Sequence, residues 1–196
     1  MKNKPEQQRE KTREEEIRER ADFILGRLGL TMEDLRGKDV LDIGTGTEAK
    51  LILAAKEEGI DIIGIDAQKE EEAVQGAQYV YGDFDNVPLE DESFDLILSH
   101  AAPPLFAVHS KEDVRKKIEK AKRLLRQGGE FRFGPIGLTA EVFTDRELFT
   151  EEEEEIFTTE QRVQRVQERG FEFLQSIDPT IKEDRSAPDG FYALEK

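Results

Sequence analysis

Apolar residues recur along the chain with a helical period in some stretches and form short, dense runs in others. The first helical pattern contains five apolar residues that share one face of a helix: Ile17, Ala21, Ile24, Leu25 and Leu28. Gly29 follows this pattern and predicts the end of the helix. Residues 1–12 are polar and contain a proline, so we expect them to be frayed or disordered.

From residue 39 onward, short apolar runs alternate with helical patterns. The runs predict seven strands, at residues 39–43, 60–65, 78–81, 94–98, 130–133, 171–177 and 191–194. Helices are predicted at 48–58, from Ser110 to the Gly128–Gly129 pair, and at 160–169 before Gly170, with a short helix at 67–74. Five consecutive glutamates, Glu151–Glu155, predict a solvated loop or helix start.

This alternation predicts an α/β fold with a doubly wound, mostly parallel, seven-stranded sheet between two layers of helices (three-layer αβα). No helix separates the last two predicted strands, so we expect a C-terminal antiparallel strand pair. We interpret residues 13–196 as a single Rossmann-like domain, a size that suits one hydrophobic core.

Composition narrows the classes of function. The net charge of −16 repels phosphate backbones, so nucleic acid is an unlikely partner, although solubility alone would explain the charge. The chain has no cysteine, which excludes disulfides and thiolate metal sites. No apolar run approaches the roughly 20 residues that span a bilayer, and the N-terminus lacks a signal-peptide pattern, so we expect a cytoplasmic protein without membrane contact.

Candidate chemistry follows the ends of the predicted strands, where open α/β sheets bind ligands. The residues at these ends are Gly44-Thr45-Gly46-Thr47, Asp66, Gly82-Asp83-Phe84 and Ser99-His100. Glycines let a backbone turn sharply and approach a ligand, and an acid at the end of the second strand can accept hydrogen bonds from ribose hydroxyls. Asp42, inside the glycine motif, would repel a pyrophosphate, which disfavours a dinucleotide such as NAD.

Four segments in order resemble the motifs of class I S-adenosylmethionine-dependent methyltransferases. They are VLDIGTGT at 40–47, IIGIDAQ at 62–68, YGDFDNVPLEDESFDLILSH at 81–100 and LLRQGGEFRF at 124–133. The resemblance covers residues 15–134. The sequence of residues 82–99 is most similar to that of members that methylate small molecules, such as those of ubiquinone and menaquinone biosynthesis. It implies S-adenosylmethionine as cofactor, a small-molecule acceptor and no metal.

The resemblance also implies a cofactor site made of nine residues: Asp42, Gly44, Thr45, Gly46, Asp66, Ala67, Asp83, Phe84 and Ser99. In this family the glycines pass under the methionine part of the cofactor, and Asp42 helps to hold its amine. Asp66 corresponds to the acid that binds the ribose, and Asp83 to the acid that accepts from the adenine amine, while Phe84 would contact the adenine ring. Ser99 and His100 would lie near the transferred methyl group.

Glu48 departs from the family pattern, which often has glycine there. It is expected in the first turn of a helix, where an acid is favourable. The alternatives are that Glu48 narrows the methionine pocket or weakens cofactor binding. A degenerate member that only binds a partner is therefore the rival hypothesis to an active methyltransferase.

Several other residues have both a functional and a structural interpretation. His100 is the candidate catalytic base, although methyl transfer needs mainly proximity, and His109 is expected to be structural. Residues 102–106 are expected to form a rigid loop at the mouth of the pocket. In the long connector 135–159, phenylalanines at 143, 149 and 157 would line an acceptor pocket or pack the flank of the domain. The N-terminal helix would cover the active-site mouth or bind a partner.

Overall fold

A computed structural model of the chain describes residues 11–68, 78–135, 142–143, 147, 150, 157–184 and 191–196. Residues 1–10, most of the short helix predicted at 67–74, Phe149 and the glutamate run at 151–155 lie outside the described residues. None of the described helices is long and apolar enough to cross a membrane.

The strands form one seven-stranded sheet in the order β3-β2-β1-β4-β5-β7-β6. The strands are β1 Val40–Ile43, β2 Ile62–Asp66, β3 Gln78–Tyr81, β4 Phe94–His100, β5 Leu125–Gly134, β6 Lys182–Asp184 and β7 Phe191–Glu195. β1 to β5 pair in parallel, and β7 pairs antiparallel with both β5 and β6. This topology confirms the predicted doubly wound sheet with a C-terminal antiparallel pair, and its order reverses between β1 and β4.

Among the described residues, four α-helices flank the sheet, and three of them begin at a capping residue. The helices are α1 Arg13–Arg27, α2 Lys50–Glu57, α3 Lys111–Leu124 and α4 Thr159–Ile177, and a 3₁₀ turn spans Met32–Leu35. Thr12, Ser110 and Thr158 cap α1, α3 and α4 by accepting backbone N–H bonds. Each of these side chains satisfies a donor that has no partner within the helix, and such a cap is typically worth about 1 kcal/mol.

Two apolar clusters hold the helices against the sheet. One cluster includes Leu41, Ile43 and residues of α3 and α4, and the other includes Val40 and residues of α1 and α2. Because successive residues of a strand point to opposite faces, β1 contributes to both clusters. Asp42 lies between Leu41 and Ile43, so its carboxyl is directed to the face that α1 and α2 cover.

The prediction that Gly170 ends a helix before a strand at 171–177 is wrong. α4 runs through Gly170 to Ile177 without a break. The buried positions Gly170 and Leu174 are four residues apart, which is helical spacing, and the alternation at 171–173 only imitated a strand. Tertiary contacts favour the helix, since the Phe171 ring stacks on Tyr192 and Phe173 meets Phe143 edge to face. The antiparallel partner of β7 is instead β6.

The prediction that Gly128–Gly129 ends a helix is also wrong. α3 stops at Leu124, and both glycines lie inside β5. Gly128 has φ +79, and the pairing of β4 with β5 shifts register between Phe94 and Leu96. The glycine pair therefore accommodates an irregularity in the strand, a role that glycine fills because it tolerates positive φ.

Candidate functional site

The loop after β1 turns sharply under an open space. Gly44 has φ +73, and a Cβ added there would lie 2.2 Å from the Ala102 Cβ. Gly46 has φ +76, and a Cβ added there would meet no atom within 4 Å. Gly44 is therefore required for close packing, whereas Gly46 faces room that a ligand can use.

The helix that follows begins later than predicted. Ala49 takes a left-handed conformation with φ +43, so α2 starts at Lys50 and Glu48 lies in the loop rather than in a helical turn. The Glu48 side chain is 58% exposed, and its Oε2 lies 3.0 Å from the Lys50 Nζ. This corrects the expected position of Glu48, which lines the rim of the site and does not fill its centre.

Two adjoining clefts open at the carboxyl ends of the strands. The first cleft, of about 300 Å³, is bounded by Arg20, Ile24, Asp42, the loop 44–50, Gln68 and His100. The second cleft, of about 270 Å³, is bounded by Asp66, Ala67, residues 82–84, residues 101–103, Phe106 and Lys117, among others. Gly44 and Gln68 border both clefts, so one elongated ligand can extend from the first into the second.

Asp42 provides the floor of the first cleft. Its side chain is buried, and burial together with the nearby Asp66 carboxylate raises its pKa to about 6. The Thr45 hydroxyl acts in the opposite direction on the pKa of Asp42. That hydroxyl is buried and has no hydrogen bond of standard geometry among the described residues. The floor thus offers a carboxyl that would be stabilised by a cationic group, next to a hydroxyl with spare bonding capacity.

Asp66 joins the two clefts and is held in one orientation. Its Oδ2 accepts from the Gly46 N–H at 2.7 Å, and its Oδ1 accepts from the Gln68 N–H at 2.8 Å. A carboxylate oxygen has two lone pairs, so each oxygen can still accept one hydrogen bond from a ligand. The two backbone donors therefore hold the carboxylate in one orientation at the end of β2.

Asp83 and Phe84 lie on the wall of the second cleft in different environments. Asp83 is exposed, and its Oδ1 accepts from the Asp85 N–H at 3.0 Å. Phe84 is buried in the larger apolar cluster, so it supports the wall and presents only part of its ring to the cleft. Phe106, the last residue of the loop 102–106 that was predicted to lie at the pocket mouth, is only half-buried and borders the same cleft.

The rim of the first cleft combines α1 with the end of β4. The Phe23 ring meets the His100 imidazole edge to face, with ring centroids 5.7 Å apart, and the Arg20 guanidinium lies 5.0 Å from the Phe23 centroid. Burial lowers the pKa of His100, and the positive charges of Arg20 and Arg27 lower it further. His100 is therefore neutral near pH 7, with its ring at the edge of the cleft.

Ser99 does not border either cleft. It is buried within β4, and its hydroxyl donates to the Pro103 carbonyl at 2.5 Å. This bond anchors the loop that begins at Ala101, so Ser99 positions the wall of the second cleft. Both Ser99 and His100 are the last residues of β4 rather than residues that follow it.

The structure brings together eight of the nine predicted cofactor residues, and His100, around the two clefts: Asp42, Gly44, Thr45, Gly46, Asp66, Ala67, Asp83 and Phe84. His109 lies at the start of α3, where its N–H donates to the Asp113 carboxylate at 3.2 Å. Phe143 is buried against Phe173, so it packs the flank of the sheet. Arg20 and Lys117 could not be located from sequence, because helical side chains reach a cleft only through tertiary packing. Gln68 lies in the bend after β2, within the segment 62–68, and borders both clefts.

Comparison with known proteins agrees with this geometry. Residues 41–133 match a family model described as a methyltransferase domain. The phthiotriol/phenolphthiotriol dimycocerosates methyltransferase of Mycobacterium tuberculosis is 30% identical over 120 residues, covering 57% of this chain and 43% of that protein. An uncharacterised methyltransferase of Bacillus subtilis is 32% identical over 117 residues, covering 55% and 44%. The chain thus spans less than half the length of these curated relatives.

Solved structures share the fold over nearly the whole chain. A Methanococcus maripaludis protein, described as an S-adenosyl-L-methionine-dependent methyltransferase, superposes with a TM-score of 0.58 at 21% identity, covering 97% of both chains. A SAM-dependent methyltransferase of Thermotoga maritima gives a TM-score of 0.51 at 18% identity, covering 92% and 95%. Residues 41–133 are therefore similar to a methyltransferase domain, and the chain shares its fold with S-adenosylmethionine-dependent methyltransferases.

Proposed function

We propose that this protein transfers a methyl group from S-adenosylmethionine to a small-molecule acceptor. S-adenosylmethionine is named as the cofactor of the solved methyltransferases that share this fold. The observation that carries the proposal is the convergence of Asp42, Asp66 and Asp83 with the glycine loop around two connected clefts. Three acids at the ends of three neighbouring strands offer partners for an amine, a ribose and an adenine.

The second cleft suits the adenosine part of the cofactor. The fixed carboxylate of Asp66 has spare lone pairs for the two ribose hydroxyls. Asp83 Oδ2 accepts no hydrogen bond from any residue in the described ranges, so it can accept from the exocyclic amine of adenine. Phe84 and Phe106 supply apolar surface for the base.

The first cleft suits the methionine part. Asp42 lies at its floor and would gain stability from an ammonium group, while the buried Thr45 hydroxyl has spare bonding capacity. Arg20 lies at the rim and forms no ion pair within the described part of the chain. The lining of this cleft therefore offers both a carboxyl and a guanidinium, which suit the two charged groups of an amino acid zwitterion.

When bound, the cofactor supplies an electrophilic methyl group on a sulfonium. The chain contributes mainly by orientation: Asp66 and Asp83 fix the adenosine end, and Asp42 and Arg20 fix the amino acid end. Holding two reactants in line can account for a large part of the rate acceleration. His100 is neutral at the rim of the first cleft, so it can take the proton that a hydroxyl or amine acceptor loses.

Two observations favour a small-molecule acceptor. The M. tuberculosis relative is named for phthiotriol and phenolphthiotriol dimycocerosates, which are not macromolecules. The net charge of −16 disfavours nucleic acid as a substrate. The rim formed by Phe23, His100 and residues 101–107 is the entrance from which an acceptor would approach.

Binding of the product S-adenosylhomocysteine, measured by calorimetry, tests the proposal. The natural chain should bind it, and Asp66→Ala should bind at least about 30-fold more weakly, because hydrogen bonds to a charged group are lost. Asp61→Ala is the matched control, since Asp61 is an exposed acid just before β2 and borders neither cleft.

Absence of binding to the natural chain, with both S-adenosylmethionine and S-adenosylhomocysteine, would contradict the proposal. The degenerate, partner-binding alternative would then replace it. The exposed position of Glu48 and its ion pair with Lys50 argue against that alternative, because the glutamate does not occupy the space beside Gly46.

A further inference from the structure

The loop from Gly82 to Val87, which we call the adenine-side loop, has a defined backbone conformation. The N–H groups of Asn86 and Val87 both donate to the Asp83 carbonyl, at 2.9 and 3.0 Å. The Gly82 N–H donates to the Asp66 carbonyl at 2.9 Å, which ties the loop to the end of β2. This tight turn leaves several carbonyl groups directed toward α3, where they need donors.

Lys120 of α3 provides those donors. Its ammonium group donates to the carbonyls of Phe84, Asp85 and Val87, with distances of 3.2 Å to Asp85 and 3.0 Å to Val87. The same ammonium group lies 4.9 Å from the centroid of the Phe84 ring. The Lys120 side chain thus binds the backbone carbonyls of the turn and also contacts the face of the Phe84 ring.

Lys117, about one turn earlier on α3, binds a side chain of the loop, that of Asp85. Its side chain is buried, and its ammonium group is bonded to Asp85 and, at 2.7 Å, to Asp113. Burial lowers the pKa of Lys117, but the two carboxylates more than offset this, so the pKa is raised and the group stays charged. Lys117 also borders the second cleft. A buried charge in contact with the cleft wall therefore fixes the loop to α3.

We propose that Lys117 and Lys120 are positioning residues for recognition of the cofactor's base. They hold the adenine-side loop so that Asp83 Oδ2 faces the second cleft at a fixed position. The inference rests on the proposed function, because it assumes that this cleft receives the adenosine. Both lysines act through the loop that carries Asp83 and Phe84.

The chemistry of the base gives this role a signature. Adenine carries an exocyclic amine that donates to a carboxylate, whereas hypoxanthine carries a carbonyl oxygen that Asp83 would repel. A rigidly held acceptor rejects the wrong base more strongly than a mobile one, because a mobile loop can move its carboxylate away. Lys117 and Lys120, which hold the loop, should therefore affect the discrimination between the two bases and not only the overall affinity.

The experiment measures the affinities of S-adenosylhomocysteine and S-inosylhomocysteine for the natural chain, Lys120→Met, Lys117→Met and Lys120→Arg. We expect the natural chain to prefer the adenosine compound by at least about tenfold, the value of one charge-assisted hydrogen bond. Lys120→Met and Lys117→Met should reduce that preference to about threefold or less, and Lys120→Arg should keep more of it than Lys120→Met. Lys116→Met is the control, since Lys116 is exposed on the same helix and borders neither cleft.

Amide hydrogen exchange without ligand measures independently how firmly the two lysines hold the adenine-side loop. The amides of Asn86 and Val87 should exchange at least about tenfold faster in Lys120→Met than in the natural chain, and at unchanged rates in Lys116→Met. Equal exchange together with an unchanged base preference in a folded Lys120→Met would overturn the inference, while ligand binding by the natural chain would leave the proposed function intact. A natural chain that binds neither compound would overturn both.

Discussion

Gly37, Gly44 and Gly46 share a positive φ, between +71 and +76, but they face different surroundings. An alanine at Gly37 would meet no atom within 4 Å, whereas at Gly44 it would meet Ala102 at 2.2 Å. We expect Gly37→Ala to cost about 1 kcal/mol of unfolding free energy from backbone strain, and Gly44→Ala about 3 kcal/mol or more because overpacking is added. Denaturant unfolding measures both.

Substitution of the third glycine, Gly46, should distinguish an effect on stability from an effect on ligand binding. Gly46→Ala should cost about as much stability as Gly37→Ala, about 1 kcal/mol, because its added methyl also meets no protein atom. That methyl would enter the space proposed for the cofactor, so we expect S-adenosylhomocysteine to bind at least about tenfold more weakly. Gly37→Ala, which lies far from both clefts, is the control. Equal binding by Gly46→Ala and Gly37→Ala would show that the open space is not the ligand site.

Asp42 makes the stability of the protein depend on pH. Its pKa rises from 3.8 to about 6 on folding, so the folded state holds this proton more tightly than the unfolded state. Because the folded state binds this proton more tightly, protonation of Asp42 adds to the free energy of unfolding. This contribution is fully present below about pH 4 and is lost as pH rises through about 6. Asp42→Asn cannot ionise, so above pH 6 we expect it to be more stable than the natural chain, by up to about 3 kcal/mol.

Urea unfolding of Asp42→Asn and the natural chain at pH 4 and pH 8 tests this dependence. The difference in unfolding free energy between the two proteins should be larger at pH 8 than at pH 4. Asp61→Asn, at an exposed acid, should show no such change and serves as the control. A constant difference across this range would mean that Asp42 is not desolvated as the structure indicates. A buried acid that costs stability fits a functional role better than a structural one.

At the scale of elements, the sequence predicted those whose signals are local. Strands at 78–81 and 191–194 and the starts of α1 and α3 follow from apolar runs and capping residues, and these predictions are confirmed. The wrong predictions at Gly128–Gly129 and Gly170 have one physical cause. A glycine predicts the end of an element from sequence alone, but packing against the sheet decides whether the element continues through it.

The residues of the candidate site also differ in whether local sequence signals could locate them. Residues that follow strands could be located from sequence, because the carboxyl ends of neighbouring parallel strands meet at one edge of a sheet. Residues that reach the clefts from helices could not, since nothing local in α1 or α3 distinguishes Arg20 or Lys117 from other surface cations. The different roles of Ser99 and Asp83 also needed structure, because only the hydrogen bond from Ser99 to Pro103 shows that its hydroxyl is already engaged.

At the scale of the whole molecule, the net charge of −16 produces a long-range field that acts on charged ligands. S-adenosylmethionine carries one more positive charge than its product S-adenosylhomocysteine, because the sulfonium becomes a neutral thioether. The field should therefore attract the cofactor and leave the product almost unaffected. Such a difference would favour exchange of product for fresh cofactor after each turnover.

Salt should reveal this contribution, because the screening length falls to about 8 Å at physiological ionic strength. Between about 20 and 300 mM NaCl we expect the affinity for S-adenosylmethionine to fall about 3- to 10-fold and that for S-adenosylhomocysteine to change less than about twofold. Calorimetry with both compounds measures this, and sucrose at matched osmolality is the control, since it does not screen charge. An equal salt dependence for the two compounds would mean that only the acids inside the clefts discriminate between them, because buried groups are screened much less than the surface.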